Sequence, residues 1–308
     1  MDLHILAQQI INGLVLGMIY GLIAVGYTMV YGVIGMVNFA HGDIYMVSAY
    51  ITGITMSVLA FFNIQAVAPV LAITLIVVMG VTGVYGWVVE RAAYRPLRNS
   101  TKLAPLISAI GVSLFLQAYV QIAQGPNPQG IRPLISGAYR FALGTGAQDF
   151  FQITYVQLLI VIVAILSMAA LAYLINHTSL GRACRATQQD ARMATLLGID
   201  TNRVISLVFV IGAVSASIAG LLVTLNYGSF DFNVGFVVGV KAFTAAVLGG
   251  IGSLPGALLG GILLGMLESI FSGYVSTDYK DVFAFSVLIL VLIFKPSGLL
   301  GRPAVEKV

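Results

Sequence analysis

The sequence predicts an all-α fold, a polytopic transmembrane bundle of about eight to ten spans with one short helix held outside the bilayer. Three observations predict it. Hydrophobic residues make up 59% of the 308-residue chain, charged residues 8%, and mean hydropathy is +1.00. A soluble domain averages about 25% charged residues, so a water-facing surface does not fit this composition. Apolar runs of the roughly 20 residues needed to cross a bilayer recur from end to end. Most of the few charges are gathered between those runs. Residues 1–308 read as a single transmembrane domain, with no block of low complexity.

The apolar runs lie at about 9–34, 42–62, 66–89, 103–123, 154–176, 204–226, 234–251, 255–274 and 281–296. The first lacks a basic n-region and is too long for an h-region, so it reads as a first span and not as a cleavable signal. Between the first two runs, Gly35 to Asp43 holds a polar stretch that is open to being a re-entrant break. His41 and Asp43 in NFAHGDIYM invite comparison with an acid–base pair. Two residues apart they do not share a helix face, and no nucleophile motif accompanies them. Helix-start polarity is the better account, with Asn38 or Asp43 as cap. The run at 234–251 contains Lys241 and the last run is short, so both are candidates for tilting or breaking.

Basic residues orient the chain. Arg91, Arg95, Arg98 and Lys102 share one loop, Arg182, Arg185, Arg192 and Arg203 another, and Lys295, Arg302 and Lys307 the tail. Placing these regions in the cytoplasm puts eleven of the fifteen Lys and Arg there and leaves Arg132, Arg140 and Lys280 outside. Nine spans then put the N-terminus outside. Gln124 to Phe151, rich in proline, glycine and polar residues, reads as an ordered external loop or cap.

The island GRACRATQQDARMATLLGIDTNR, Gly181 to Arg203, is the most informative polar stretch. At 100° per residue, Ala183, Ala186, Met193, Ala194 and Leu197 form one stripe, and Arg182, Arg185, Gln188, Gln189 and Arg192 the other side. Asp190 falls within the apolar stripe. Gly198 is placed to end the helix as C′ residue. A stripe built largely of alanines supplies little energy for lying on lipid and suits close packing in a protein groove. The lone cysteine, Cys184, permits no intrachain disulfide and reads as an inert thiol.

The 34 glycines are patterned. Gly13, Gly17 and Gly21 stand four apart, Gly252, Gly256 and Gly260 repeat the spacing, and Gly261 and Gly265 continue it. Small residues at this spacing let helix backbones approach closely and can line a pathway. Gly249, Gly250 and Gly252 followed by Pro255 predict a hairpin between two spans. Lys241 and Glu268 fall on consecutive antiparallel runs at similar depth, about 10 Å below the outer surface. A charge there is costly enough to seek a partner, so the two readings are an intramembrane ion pair, or a Lys241 that snorkels outward with Glu268 facing a wet cavity separately.

Together, GYTMVYGVIGMVNFAHGDIYM, GWVVERAAYRPLR, LISAIGVSLFLQ, SLGRACRATQQDARMATLLGID and KAFTAAVLGGIGSLPGALLGG resemble the LivH-type permease of bacterial branched-chain amino-acid ABC importers. The resemblance runs from about Asn12 to the C-terminus. It implies a bacterial inner-membrane protein that forms half of a pathway for leucine, isoleucine and valine. It also implies a second, LivM-type permease, two cytoplasmic ATPase subunits and a periplasmic binding protein as partners, besides the lipid bilayer. By this resemblance the island is the coupling helix that docks on an ATPase, with Arg182, Arg185, Ala186, Asp190, Ala194, Leu197 and Gly198 as its residues. The importer motif of Glu-Ala-Ala, three residues and Gly falls on Arg192, Met193, Ala194 and Gly198, where only Ala194 and Gly198 agree. The chain has no GxxxxGK[ST], so ATP chemistry falls to a partner. No cofactor, metal or nucleic-acid partner is expected, and no catalytic residue. The alternative is an ion-coupled secondary transporter with Lys241 and Glu268 at its coupling site.

Overall fold

The computed structural model describes residues 3–98, 100–101, 103–142 and 150–301. Lys102, Arg302, Lys307 and the middle of the expected external loop lie outside the described residues. The chain is a helical bundle whose elements follow the apolar runs closely. Helices α1 (Leu3–Ile34), α2 (His41–Phe61), α3 (Val67–Val89), α4 (Leu103–Gln124) and α5 (Tyr155–His177) come first. Two short helices, α6 (Ser179–Gln189) and α7 (Ala191–Leu196), occupy the island. Helices α8 (Thr201–Tyr227), α9 (Val234–Gly249), α10 (Leu254–Tyr274) and α11 (Lys280–Phe294) complete the bundle. Among the described residues seven helices are long and apolar enough to cross a membrane. The two shorter ones at span positions, α9 and α11, have 16 and 15 residues.

Local chemistry sets the boundaries. Thr154 and Gln157 form a reciprocal capping box at the start of α5, with N–H to oxygen distances of 3.1 and 2.9 Å. The Ser253 hydroxyl accepts from Gly256 N–H at 3.2 Å, and Pro255 sits in the first turn of α10. Gly228, at φ +65°, ends α8 in the left-handed region that glycine tolerates.

The expected loop outside the bundle contains more regular structure than its composition suggests. Strands β2 (Ala138–Ala142) and β3 (Phe150–Thr154) pair antiparallel. Strand β1 (Gln129–Gly130) pairs with β4 (Ser229–Phe230), which tethers this loop to the α8–α9 connection. This is the hairpin end of the bundle. The Gln152 N–H donates to the Gln8 side chain at 2.9 Å, so α1 begins at the same end. The island and the turn after α3 lie at the other, basic end.

Helix α1 is the axis of the fold and packs on α10, α8, α9 and α5. Its seam with α10 is made of glycine backbone. A Cβ on Gly13 would lie 2.7 Å from Met266 Cα, and one on Gly17 2.6 Å from Ile262 Cα. From the other side Gly261 and Gly265 press on Gly21 and Gly17. The second triad divides between a helix contact and a turn. Gly256 and Gly260 face α9 at Gly249 and Ala245, and Gly252 is a turn residue at φ +97° with open space around it. Spacing of four is shared by two faces of α10 and does not say which neighbour each face meets.

The turn from Gly250 to Ser253 confirms the expected hairpin, closed by the Ser253 N–H to Gly250 carbonyl bond at 3.1 Å. Beyond α11 the chain returns to it, where Leu299 and Leu300 N–H donate to the Leu248 and Gly249 carbonyls at 2.9 Å.

Candidate functional site

The island does not form one helix. The Asp190 side chain accepts from Arg192 and Met193 N–H at 2.8 and 3.0 Å, and its own backbone is extended at φ −157°. Asp190 therefore caps α7 and breaks the island in two, which is why it sat badly on a single apolar stripe. The inward face is Gly181, Cys184, Thr187 and Ala194, with Ala183 and Ala186 half-buried. Arg182, Arg185, Gln188 and Arg192 are exposed, as the periodicity requires. Leu197 departs from its expected place, because the break turns it outward. Leu196 and Leu197 are each 81% exposed and Met193 58%, on an island that also carries four arginines. Gly198 takes φ +86° immediately after the helix, as expected of a C′ glycine. Ala194 is buried in the chain's own fold and does not belong to the exposed face.

Helix α6 is locked to α5. The Arg185 guanidinium donates to the Ile175 carbonyl at 2.6 Å, and a side chain at Gly181 would strike the Ile175 backbone. Burial pushes the Cys184 thiol up from its usual pKa, and nearby Arg185 opposes that shift. Less thiolate is then present at neutral pH. Alkylation of Cys184 in the native protein should be about tenfold or more slower than in the unfolded chain at pH 7. Its rate should keep rising with pH beyond the range where a free cysteine levels off. Equal rates in the two states, followed by mass spectrometry, would contradict this burial.

Next to the island lies a network that sequence reasoning did not single out. The α3 helix ends in a π turn (Glu90–Tyr94) and a 3-10 turn (Arg95–Leu97). The wide turn brings Glu90 fully inside, where it pairs with Arg98 and accepts from the Ser206 hydroxyl at 2.6 Å. Arg98 also donates to the Asn202 side chain at 2.7 Å. Burial lowers the Arg98 pKa, and the neighbouring Glu90 carboxylate opposes that shift. The π turn is thereby fastened to the start of α8, where the island ends. One acid inside the basic stretch ERAAYRPLR was the available signal.

Deep in the hairpin half, the structure brings Lys241 and Glu268 together. Lys241 Nζ lies 2.6 Å from Glu268 Oε1, and both side chains are almost fully buried. Two further groups complete the cluster. The Tyr20 hydroxyl donates to Glu268 Oε2 at 3.0 Å, and Asp281 Oδ1 lies 2.5 Å from Lys241 Nζ. One ammonium thus joins α9 to α10 and α11, and the carboxylate it holds is bonded in turn to α1.

His41 and Asp43 are also buried but serve separate neighbours. The His41 ring meets Tyr27 edge-on at 4.8 Å, while Asp43 Oδ1 accepts from Gln117 Nε2 at 3.0 Å. Neither expected cap is used, since α2 follows Ala40 with no side-chain cap. Asn38 is engaged instead by the Tyr94 hydroxyl, 3.1 Å away.

Residues 9–292 match the family described as branched-chain amino acid transport system, permease component. The chain belongs to this family. It is 50% identical to the high-affinity branched-chain amino acid transport system permease protein LivH of Salmonella typhimurium, over 98% of this chain and 97% of that one. The corresponding permease protein BraD of Pseudomonas aeruginosa is 49% identical over the same shares. A probable LivH from Methanocaldococcus jannaschii is 23% identical over 91% of this chain and 88% of its own. As a multi-pass permease of this family, the chain carries an exposed apolar and cationic segment at one end and buried charge pairs within the bundle.

Proposed function

We propose that this permease forms half of the translocation pathway of an ATP-driven importer for leucine, isoleucine and valine in the bacterial inner membrane. The observation that carries the reading is the 50% identity to a high-affinity LivH permease over nearly the whole of both chains. The second half is a LivM-type permease, and a periplasmic binding protein delivers substrate at the hairpin end. The basic end faces the cytoplasm, in keeping with the distribution of arginines. Two ATPase subunits supply the hydrolysis for which this sequence has no phosphate-binding loop. One of them receives the island, through Met193, Leu196 and Leu197 with Arg182, Arg185 and Arg192 at the rim. Exposed leucines framed by cations suit an apolar groove with an acidic margin.

The test is reconstitution of the complete importer in liposomes. Leucine uptake is expected to require ATP, the ATPases and the binding protein. Leu196→Asp combined with Leu197→Asp should lower copurification of the ATPases and uptake by about tenfold, while the permease pair folds normally. Uptake driven by an ion gradient with no ATPase present would overturn the importer reading. Undiminished ATPase binding in the double variant would overturn docking through these leucines.

A further inference from the structure

At the hairpin end a cleft of about 350 Å³ opens between α2, the end of α4 and the paired strands β1 and β4. Ile54 and Val58 of α2, Ile131 just past β1 and Phe230 of β4 supply apolar walls. Tyr50 and Ser57 line it from α2, and among the described residues no Asp, Glu, Lys or Arg does. Its volume lies at the lower end of small-molecule sites, about 300–1,000 Å³.

The Tyr50 hydroxyl is the informative group. The residue is 4% exposed, and the hydroxyl oxygen is buried with no hydrogen-bond partner among the described residues. The ring is held edge-on to Phe230, with centroids 4.8 Å apart. Close approach of Phe230 depends on Gly53, where a Cβ would lie 2.7 Å from the Phe230 ring. Native proteins pair nearly all buried polar atoms, so a phenol left unpaired in the wall of a cleft is suited to a ligand atom. Aliphatic walls with no formal charge favour a neutral apolar group and disfavour acidic or basic side chains.

We propose that this cleft is a subsite for the transported amino acid, taking a branched aliphatic side chain against Ile54, Val58 and Ile131. The Tyr50 hydroxyl donates a hydrogen bond to its carboxylate. The assignment rests on the importer reading above and gives the permease a steric preference of its own, separate from that of the binding protein.

The test uses the complete importer in liposomes, with leucine and valine uptake measured through the same binding protein. Ser57 is an exposed wall residue, so Ser57→Trp fills the cleft without entering the core. Leucine uptake should fall about tenfold and valine uptake less, lowering the leucine-to-valine ratio at least about threefold relative to wild type. Tyr50→Phe keeps the ring and should lower leucine uptake about fivefold with normal assembly. Unchanged uptake in both variants overturns the proposal and marks the cleft as a lipid-filled crevice. Equal losses of leucine and valine uptake in Ser57→Trp also overturn it, and joined to poor assembly they point to the second permease as the occupant of the cleft. Wild-type liposomes that move none of the branched-chain amino acids would instead defeat the importer reading itself.

Discussion

Charge reversal at either end of the buried pair, Lys241→Glu or Glu268→Lys, is expected to lower the yield of folded, transporting permease by about tenfold or more. Removing one partner of a buried ion pair costs about 3–5 kcal/mol, because the survivor is left uncompensated in a medium that solvates it poorly. Reversal adds direct repulsion. Lys241→Glu would confront Glu268 and Asp281 together, since both carboxylates lie within 2.6 Å of the present ammonium. The double swap should recover part of the loss, as opposite charges again face each other on α9 and α10. Recovery will be incomplete, because the new glutamate at 241 still meets Asp281. Asp281→Asn in the swapped background should therefore improve it further. Size-exclusion profiles and leucine uptake read both effects. Additive damage in the double variant, with no recovery, would show the two charges to be independent.

The second large effect is expected at the glycine seam. Gly17→Val or Gly265→Val should lower the apparent Tm of the purified permease by roughly 5–10 °C. At Gly17 even a Cβ would stand 2.6 Å from Ile262 Cα and 2.8 Å from the Gly261 carbonyl oxygen. Those neighbours are backbone, so no side-chain rotation relieves the clash and α1 must move away from α10. In lipid the attraction between helices comes largely from such close packing, so separation forfeits it. Gly32→Ala is the internal comparison, as nothing lies within 4 Å of its added Cβ. Equal stability of the three variants would show that the seam is not close-packed in the protein.

Much of this architecture was readable from hydropathy, because a span must satisfy its own backbone and so announces itself as a long apolar run. The run estimated at 204–226 became Thr201–Tyr227, and the one at 103–123 became Leu103–Gln124. What escaped was set by single side chains acting across the fold. Periodicity places Asp190 on a face, but only its bonds to Arg192 and Met193 reveal a cap that divides the helix. Depth along two runs was enough to match Lys241 with Glu268. Asp281 sits at the polar start of α11, on the edge of the last apolar run, so its approach to Lys241 had no signal in the sequence. Tyr50 was hidden for a different reason. A tyrosine in an apolar run usually fills space, and an unpaired hydroxyl is visible only once its neighbours are known.

The shortness of α11 has a consequence for the surrounding lipid. Its 15 residues rise roughly 22 Å, whereas a bilayer's hydrocarbon layer is about 30 Å thick. Ile289, Ile293 and Phe294 are exposed on it, so acyl chains are among the partners these side chains can meet. Lys280 begins the helix and Lys295 follows it, and flexible ammonium stems at both ends can reach headgroups drawn inward. Where α11 borders lipid, the leaflets must thin to match it, at a modest cost for each ångström of mismatch. At such a border the permease would pinch its membrane locally, and membranes of shorter acyl chains would be deformed least.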